Sequence, residues 1–219
     1  LIIMTDGVFS MDGDSAPLVE ISKLCKTYHA LLIVDDAHGI GVLGGGGRGL
    51  VEELNLEKEV DLLIGTFGKS FGATGAFITG SETIIEAFIQ KARTYIYTTA
   101  LLPSVAAAVT HAIDLINEGS DLRKHIKELV VEYKKLARAA GLYMSKSSYH
   151  IQPLIIGDAN ETLRISKALY KNNILVPAIR PPTVPKNTSR LRISITAAHT
   201  KKDISLLVKT ASNILNEEQ

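Results

Sequence analysis

Ionisable side chains directly follow two apolar segments of this 219-residue sequence, at the points where each segment ends. Asp35 and His38 follow the first segment, and Thr66 and Lys69 follow the second. In an open α/β sheet the ligand crevice lies beyond the carboxyl ends of the strands, so these four side chains are expected to face one site. A carboxylate, an imidazole and an amine at one site suit a cofactor with an aldehyde and a basic ring nitrogen. Pyridoxal 5'-phosphate (PLP) has both groups, and the pattern predicts a PLP site.

Lys69 and Asp35 have the properties that this cofactor requires. A lysine that forms a Schiff base must lose its proton, and Gly68 and Gly72 let the backbone approach the cofactor closely. A carboxylate at the end of a buried strand is costly to leave unpaired, and a protonated ring nitrogen would offset that cost. Two ordinary alternatives stay open on the residues alone: Lys69 could be a surface lysine, and Asp35 could cap a helix or a turn.

Hydrophobic periodicity indicates the elements that position these residues. Strands are predicted at residues 1–5, 30–34, 61–66, 75–79, 152–156 and 191–195. Helices are predicted at residues 17–29, 50–56, 81–93, 103–118, 122–140, 160–172 and 203–215. Strands that alternate with helices indicate an α/β domain with a mostly parallel sheet in residues 1–115, and residues 116–219 indicate a smaller α+β domain.

Composition argues against several classes of function. The formal net charge is only +1, with Lys and Arg dispersed along the chain, which argues against a nucleic-acid surface. No apolar run is long enough to span a bilayer, and the six histidines show no metal-ligand spacing. Cys25 is the only cysteine, so no intrachain disulfide can form. This usage predicts a cytoplasmic protein with a buried, structural thiol at Cys25.

Four segments resemble the α-oxoamine synthases, in the order and at the spacing of that family. They are Gly7–Asp14, Val34–Gly39, Thr66–Lys69 and Ala178–Pro185. The resemblance implies the PLP-dependent transferase fold of type I, similar to aspartate aminotransferase, with a partial large α/β domain followed by a small α+β domain. It runs from Leu1 to about Asn216 and begins in the middle of the family pattern. We therefore expect the chain to be a C-terminal fragment of a longer enzyme.

The resemblance also implies a role for each residue of the predicted site. Lys69 would be linked to PLP and act as general base, and Asp35 would pair with the pyridinium nitrogen. His38 would reach the phenolic oxygen of the cofactor. Ser10 would lie near the same ring oxygen, and Thr66 would bind the phosphate.

Three residues nearer the C-terminus take further roles by the same resemblance. Thr99 lies in a segment that reaches the phosphate bound by the partner subunit, although Ala100 stands where a serine is common. Thr183 matches a substrate-contact position, and Arg192 would hold the carboxylate of the amino acid. Arg190, two residues before Arg192 on the same predicted strand, is expected to form a structural ion pair.

The implied reaction is the decarboxylative condensation of an amino acid with an acyl thioester. Within the family the chain most resembles the member that joins L-alanine to a pimeloyl thioester, of CoA or of a carrier protein, in biotin biosynthesis. That member is expected to be a cytoplasmic homodimer. One alternative is the sibling that joins glycine to acetyl-CoA. Another is a catalytically inactive unit that serves only in folding or dimerisation.

Overall fold

A computed structural model describes residues 1–143 and 145–216 of the chain. The chain divides into two compact units. The first comprises Leu1–Phe9 and Ser15–Arg123, and the second comprises Ser10–Asp14 and Lys124–Gln219. The sequence predicts a domain boundary after residue 115, whereas the first unit continues through Arg123.

A four-stranded sheet with strand order β1-β2-β3-β4 organises the first unit. Its strands are β1 Ile2–Asp6, β2 Leu31–Asp35, β3 Leu62–Thr66 and β4 Ala76–Gly80. The first three strands run parallel and β4 pairs antiparallel with β3, which confirms the mostly parallel sheet. Leu32 and Val34 of β2 are fully buried, as expected for an inner strand of a parallel sheet. Because β1, β2 and β3 are parallel, their carboxyl ends lie at one edge of the sheet.

The helices of the first unit are α1 Leu18–Thr27, α2 Leu50–Glu53, α3 Glu82–Lys91, α4 Arg93–Ile96 and α5 Pro103–Glu118. Helix α1 buries Leu18, Ser22 and Cys25, and the burial of Cys25 confirms the predicted structural thiol. The side chain of Ser81 accepts a hydrogen bond from Ile84 N and caps α3. Helix α4 was not predicted, because four residues are too few to establish a helical period.

The second unit combines a small antiparallel sheet with three helices, α6, α7 and α8. Helix α6, Ser120–Ala139, begins in the first unit and continues into the second. The sheet has order β5-β7-β6, formed by β5 Ile151–Gly157, β6 Ala178–Ile179 and β7 Ser189–Ser194. The other helices are α7 Ala159–Lys171 and α8 Lys201–Asn216. Apolar residues of these elements form one core that includes Leu129, Ile165, Leu169, Leu191 and Val208. This arrangement confirms the predicted α+β unit, although the two-residue strand β6 was too short to predict.

Among the residues that the structure describes, no helix has both the length and the apolar character needed to cross a membrane.

Candidate functional site

Two aspartates and one lysine lie near one another at the carboxyl edge of the first unit's sheet. The parallel register pairs Asp6 at the end of β1 with Asp35 at the end of β2. Burial and the neighbouring charge of Asp35 raise the pKa of Asp6, and the positive charge of Lys69 acts in the opposite direction. The amine that was predicted to bind the cofactor is therefore within electrostatic reach of this carboxylate pair.

Asp35 has one oxygen fixed by the backbone. Its Oδ1 accepts a hydrogen bond from Ala37 N at 3.0 Å, which holds the turn that follows β2. Within residues 1–143 and 145–216, no donor forms a hydrogen bond with Asp35 Oδ2. A partly buried carboxylate with one oxygen available is suited to a cationic partner such as a protonated ring nitrogen. The residues at this edge therefore fit the nitrogen end of PLP.

Asp36, the next residue, serves the scaffold and is fully buried. Its Oδ2 accepts a hydrogen bond from Leu50 N at 2.6 Å, at the start of α2. A Cβ atom at Gly39 or at Gly49 would lie 2.1 or 2.0 Å from an Asp36 carboxylate oxygen, so only glycine fits at these positions. Burial raises the pKa of Asp36 to about 7, against the lowering effect of its backbone hydrogen bonds. Asp36 anchors the loop between β2 and α2.

Thr66 and Lys69 begin the turn that joins β3 to β4. The Thr66 hydroxyl donates to Gly75 O at 3.1 Å and accepts a hydrogen bond from Gly68 N at 3.2 Å. Gly72 N donates to Lys69 O at 3.0 Å and closes the turn; Gly72 has a φ angle of 63°, which favours glycine. Lys69 is exposed. The Thr66 hydroxyl is already hydrogen-bonded within the turn. To donate to a phosphate, the hydroxyl must rotate so that its hydrogen no longer points at Gly75 O.

The remaining candidates of the first unit lie on two different segments. His38 is partly buried in the turn that follows β2. Since β2 and β3 are adjacent and parallel, the structure places His38 on the same sheet edge as Asp35, Thr66 and Lys69. Thr99 is exposed in the segment between α4 and α5. The sequence predicts five site residues in the first unit. Four of them, Asp35, His38, Thr66 and Lys69, therefore lie at one edge of the sheet.

The glycine-rich loop after β2 has its amides occupied by carboxylates of its own chain. Gly46 N donates to Glu52 Oε1 at 3.1 Å, and Arg48 N donates to Glu52 Oε2 at 2.9 Å. Arg123 Nη2 donates to Gly45 O at 2.7 Å and holds the loop from the other side. Loop amides bonded in this way are not free to cradle a phosphate.

Arg192 on β7 is the cationic candidate of the second unit. Its Nε donates to Ser10 O at 2.5 Å and its Nη1 donates to Ser194 Oγ at 3.1 Å. Partial burial lowers the pKa of the Arg192 guanidinium, which nevertheless stays charged at neutral pH. Arg192 lines a groove of about 400 Å³ together with Ile193 and Leu207. A guanidinium held by two hydrogen bonds beside a groove is suited to binding a carboxylate.

Arg190 and Thr183 have different environments from Arg192. Arg190 is 5% exposed and forms an ion pair with Asp12, and it also donates to Met11 O. This contact confirms the structural ion pair expected for Arg190. Thr183 is exposed in the loop between β6 and β7, where its backbone N donates to Arg180 O at 3.0 Å.

Asp6 is a site residue that the sequence alone did not predict. A signal was present, because Asp6 ends an apolar run just as Asp35 does. Only the strand register, which pairs Asp6 with Asp35, shows that the two carboxylates share an edge. The described residues contain no group of three or more His, Cys, Asp or Glu side chains that could hold a metal ion.

Similarity to known proteins covers nearly the whole chain. The family described as aminotransferase class I and II matches residues 1–210. The 8-amino-7-oxononanoate synthase of Marinobacter nauticus is 48% identical over 209 residues, which are 95% of this chain and 53% of that protein. The protein of the same name from Cellvibrio japonicus is 44% identical over 216 residues, which are 98% of this chain and 54% of that protein. The chain thus spans about half the length of the curated relatives it matches.

Solved structures show the same architecture. Serine palmitoyltransferase from S. paucimobilis, with a bound PLP–myriocin aldimine, has a TM-score of 0.93 and 30% identity, and the match covers 99% of this chain and 55% of that chain. 8-Amino-7-oxononanoate synthase from Francisella tularensis has a TM-score of 0.88 and 32% identity, with 99% of this chain and 63% of that chain covered. These likenesses confirm the predicted fold, of which this chain forms a part.

Proposed function

Because the chain belongs to the aminotransferase class I and II family, we propose that it forms part of a PLP-dependent 8-amino-7-oxononanoate synthase. One observation carries the proposal. At the carboxyl edge of the sheet the charge of Lys69 acts to lower the pKa of Asp6, and Asp6 is paired in register with Asp35. Relatives with this name that are 48% and 44% identical support it. The chain covers about half of each relative, so the whole reaction is proposed for an assembly that includes this chain.

When bound, PLP supplies an aldehyde to which a lysine amine can attach and an aromatic ring that delocalises negative charge. Lys69 would be the amine for that attachment, and the same amine would serve as the general base for the Cα proton of the amino acid. Asp35, through its available Oδ2, holds a proton on the ring nitrogen. His38 serves the phenolic oxygen and Thr66 the phosphate, after its hydroxyl turns away from Gly75 O.

The remaining substrate and cofactor roles are assigned to residues of the second unit and to the segment before α5. Arg192 binds the carboxylate of the amino acid, and Thr183 contacts the substrate. Ser10 lies near the ring oxygen, and Thr99 reaches the phosphate bound by the partner subunit of a homodimer. These four roles follow the family resemblance, and the hydrogen-bonded guanidinium of Arg192 is compatible with its role.

We propose L-alanine and a pimeloyl thioester as the substrates. The Cα of alanine loses its proton and forms a bond to the thioester carbonyl carbon, the thiol leaves, the alanine carboxylate departs as carbon dioxide, and Cα takes up a proton in its place. The product is 8-amino-7-oxononanoate. The names of the relatives favour this pair of substrates over glycine and acetyl-CoA.

The test traps the cofactor on its lysine. The chain is incubated with PLP and reduced with borohydride, and the phosphopyridoxyl peptides are quantified by mass spectrometry. We expect the Lys69 peptide to be labelled about tenfold more than the peptide of Lys91, an exposed lysine at the end of α3, which corresponds to about 1.4 kcal/mol of preference. The Lys69→Ala variant should lose this label, and Lys91→Ala should retain it. Equal labelling of Lys69 and Lys91 would contradict the proposal.

A further inference from the structure

The second unit includes a short piece of the chain that lies far in sequence from its main part. This piece, which we call the 10–14 segment, comprises Ser10–Asp14 and follows β1. Two arginines of β7 donate hydrogen bonds to its backbone: Arg192 Nε to Ser10 O at 2.5 Å and Arg190 Nη1 to Met11 O at 3.3 Å. A Cβ atom at Gly13 would lie 2.1 Å from Ile151 O, so the segment packs closely on β5. The 10–14 segment is therefore held by the strands of the second unit.

The two arginines leave β7 on the same face, because successive side chains of a strand alternate between its faces. Two residues of strand separate their Cα atoms by about 7 Å. Asp12 forms an ion pair with Arg190, and it lies two residues from Ser10, whose carbonyl oxygen accepts from Arg192. Since the Asp12 side chain is 60% exposed, packing does not restrict it to one partner. The Asp12 carboxylate can therefore turn toward either guanidinium.

Arg190 is the guanidinium that holds Asp12 in the structure. Its side chain is 5% exposed, and besides the ion pair it donates to Thr188 O at 3.0 Å. A buried guanidinium is costly to leave without a carboxylate, because little water replaces the lost partner. The pairing of Asp12 with the buried Arg190 is therefore favoured over a pairing with the less buried Arg192.

Arg192 has hydrogen-bond donors that its own chain does not use. Of the five N–H groups of a guanidinium, Nε is bonded to Ser10 O and one on Nη1 is bonded to Ser194 Oγ. In the part of the chain that the structure describes, Nη2 donates to no acceptor. A guanidinium that is fixed through Nε and open at Nη2 can bind a carboxylate. A carboxylate on the 10–14 segment is a potential competitor for the same donors.

We propose that Arg190 is a positioning residue that keeps the Asp12 carboxylate away from Arg192, so that Arg192 remains available for the carboxylate of the amino-acid substrate. The inference rests on the proposed function, in which Arg192 binds that carboxylate. A competing group tethered to the same unit acts at an effective concentration in the millimolar range. Without Arg190, the tethered Asp12 carboxylate would occupy the donors that the substrate needs.

The test measures carboxylate binding at Arg192 directly, with acetate as the probe. The full 219-residue chain is titrated with sodium acetate at constant ionic strength, and the arginine Nε–Hε signals are followed by heteronuclear NMR. Arg192→Lys identifies the Arg192 signal, and the signal of the exposed Arg138 on α6 reports non-specific binding. We expect acetate to shift the Arg192 signal saturably and the Arg138 signal only slightly. An unresponsive Arg192 signal in the wild-type chain would overturn the proposal.

Variants of Arg190 separate retention of the carboxylate from packing. Arg190→Gln should weaken acetate binding at Arg192 about tenfold, because the released Asp12 carboxylate occupies the guanidinium. The double variant Arg190→Gln/Asp12→Asn should restore binding to within about threefold of wild type, because no competing carboxylate remains. Arg190→Lys loses the planar fork that reaches Thr188 O but keeps a cation beside Asp12, so it should bind acetate nearly as wild type does. If the double variant or Arg190→Lys binds as weakly as Arg190→Gln, Arg190 acts through packing alone and the proposal is wrong.

Asp12→Asn alone gives a test that does not depend on replacing a buried arginine. Asp12 is exposed, and asparagine keeps an oxygen that can accept from Arg190. The acetate affinity of Arg192 should change by less than about twofold, since Arg190 already holds Asp12 in the wild-type chain. A gain of about tenfold would overturn the proposal, by showing that Asp12 competes for Arg192 even when Arg190 is present. Acetate binding requires neither PLP nor turnover, so its failure is distinguishable from failure of the Lys69 labelling.

Discussion

Titration of the buried Asp36 should make the first unit less stable as the pH rises toward neutrality. The Asp36 side chain is fully buried, its Oδ1 has no hydrogen-bond partner among the residues that the structure describes, and burial raises its pKa from 3.8 to about 7. Between these pH values the folded chain holds a proton that the unfolded chain has released. The folded state therefore gains stability from Asp36 that is fully present below pH 3.8 and is lost as the pH rises through about 7.

The magnitude follows from the separation of the two pKa values. Each pH unit between them is worth about 1.4 kcal/mol of unfolding free energy, so the whole interval is worth about 4 kcal/mol at most. Asp36→Asn keeps an oxygen that can accept from Leu50 N but has no proton to release. The slope of unfolding free energy against pH should therefore be less negative in the variant between pH 5 and pH 7, by about 1 kcal/mol per pH unit.

Hydrogen exchange of the buried β2 amides measures this slope within the first unit. Wild type and Asp36→Asn are compared at intervals between about pH 5 and pH 7, after correction for intrinsic exchange. Asp203→Asn is the control, because hydrogen bonds from Thr200 lower the pKa of Asp203 and place its titration below this window. Equal slopes in wild type and Asp36→Asn would refute the assignment of a proton to Asp36.

Three further predictions concern packing, electrostatics and substrate binding. Gly49→Ala should destabilise the first unit by roughly 2–5 kcal/mol in urea unfolding, because the φ angle of Gly49 is 97° and the new Cβ would lie 2.0 Å from Asp36 Oδ2. The control Gly45→Ala should be nearly neutral, because its new Cβ would have no atom within 4 Å. Asp6→Asn should shift PLP labelling of the candidate lysine to lower pH, since an amine loses its proton more readily without a neighbouring carboxylate; an unchanged pH profile would contradict this. Arg192→Ala, in an active assembly, should raise the KM for alanine roughly ten- to a hundred-fold and leave the KM for the thioester nearly unchanged; equal effects would indicate a structural role.

Long periodic elements were predictable from the sequence, whereas contacts between distant elements were not. Helix α5 was predicted at its observed bounds, Pro103–Glu118, because sixteen residues carry several helical turns. The parallel strands were recognisable as apolar runs that end at polar residues. Short elements such as α4 and β6 carry too few residues for a period and depend on their surroundings.

In the candidate site as well, residues with a local sequence pattern were predictable, whereas residues that depend on contacts between elements were not. Asp35 and Lys69 could be singled out because each follows an apolar run. Asp6 follows one as well, but its importance depends on the register of β1 against β2, which no local pattern specifies. The burial of Asp36 was equally hidden, since it results from close packing of Gly39 and Gly49, which lie ten residues apart and are brought to Asp36 by the fold of the loop.

The adjacent residues Asp35 and Asp36 explain how one strand end can serve both scaffold and chemistry. Asp35 is partly buried and has one oxygen available, whereas Asp36 is enclosed and bonded to the start of α2. The negative charge of Asp35 contributes to the raised pKa of Asp36. Because the pKa of Asp36 is raised to about 7, Asp36 is protonated below that pH, and the edge then avoids placing a second full negative charge directly beside Asp35. The scaffold carboxyl can then hold the loop without competing for the cation that Asp35 is positioned to bind.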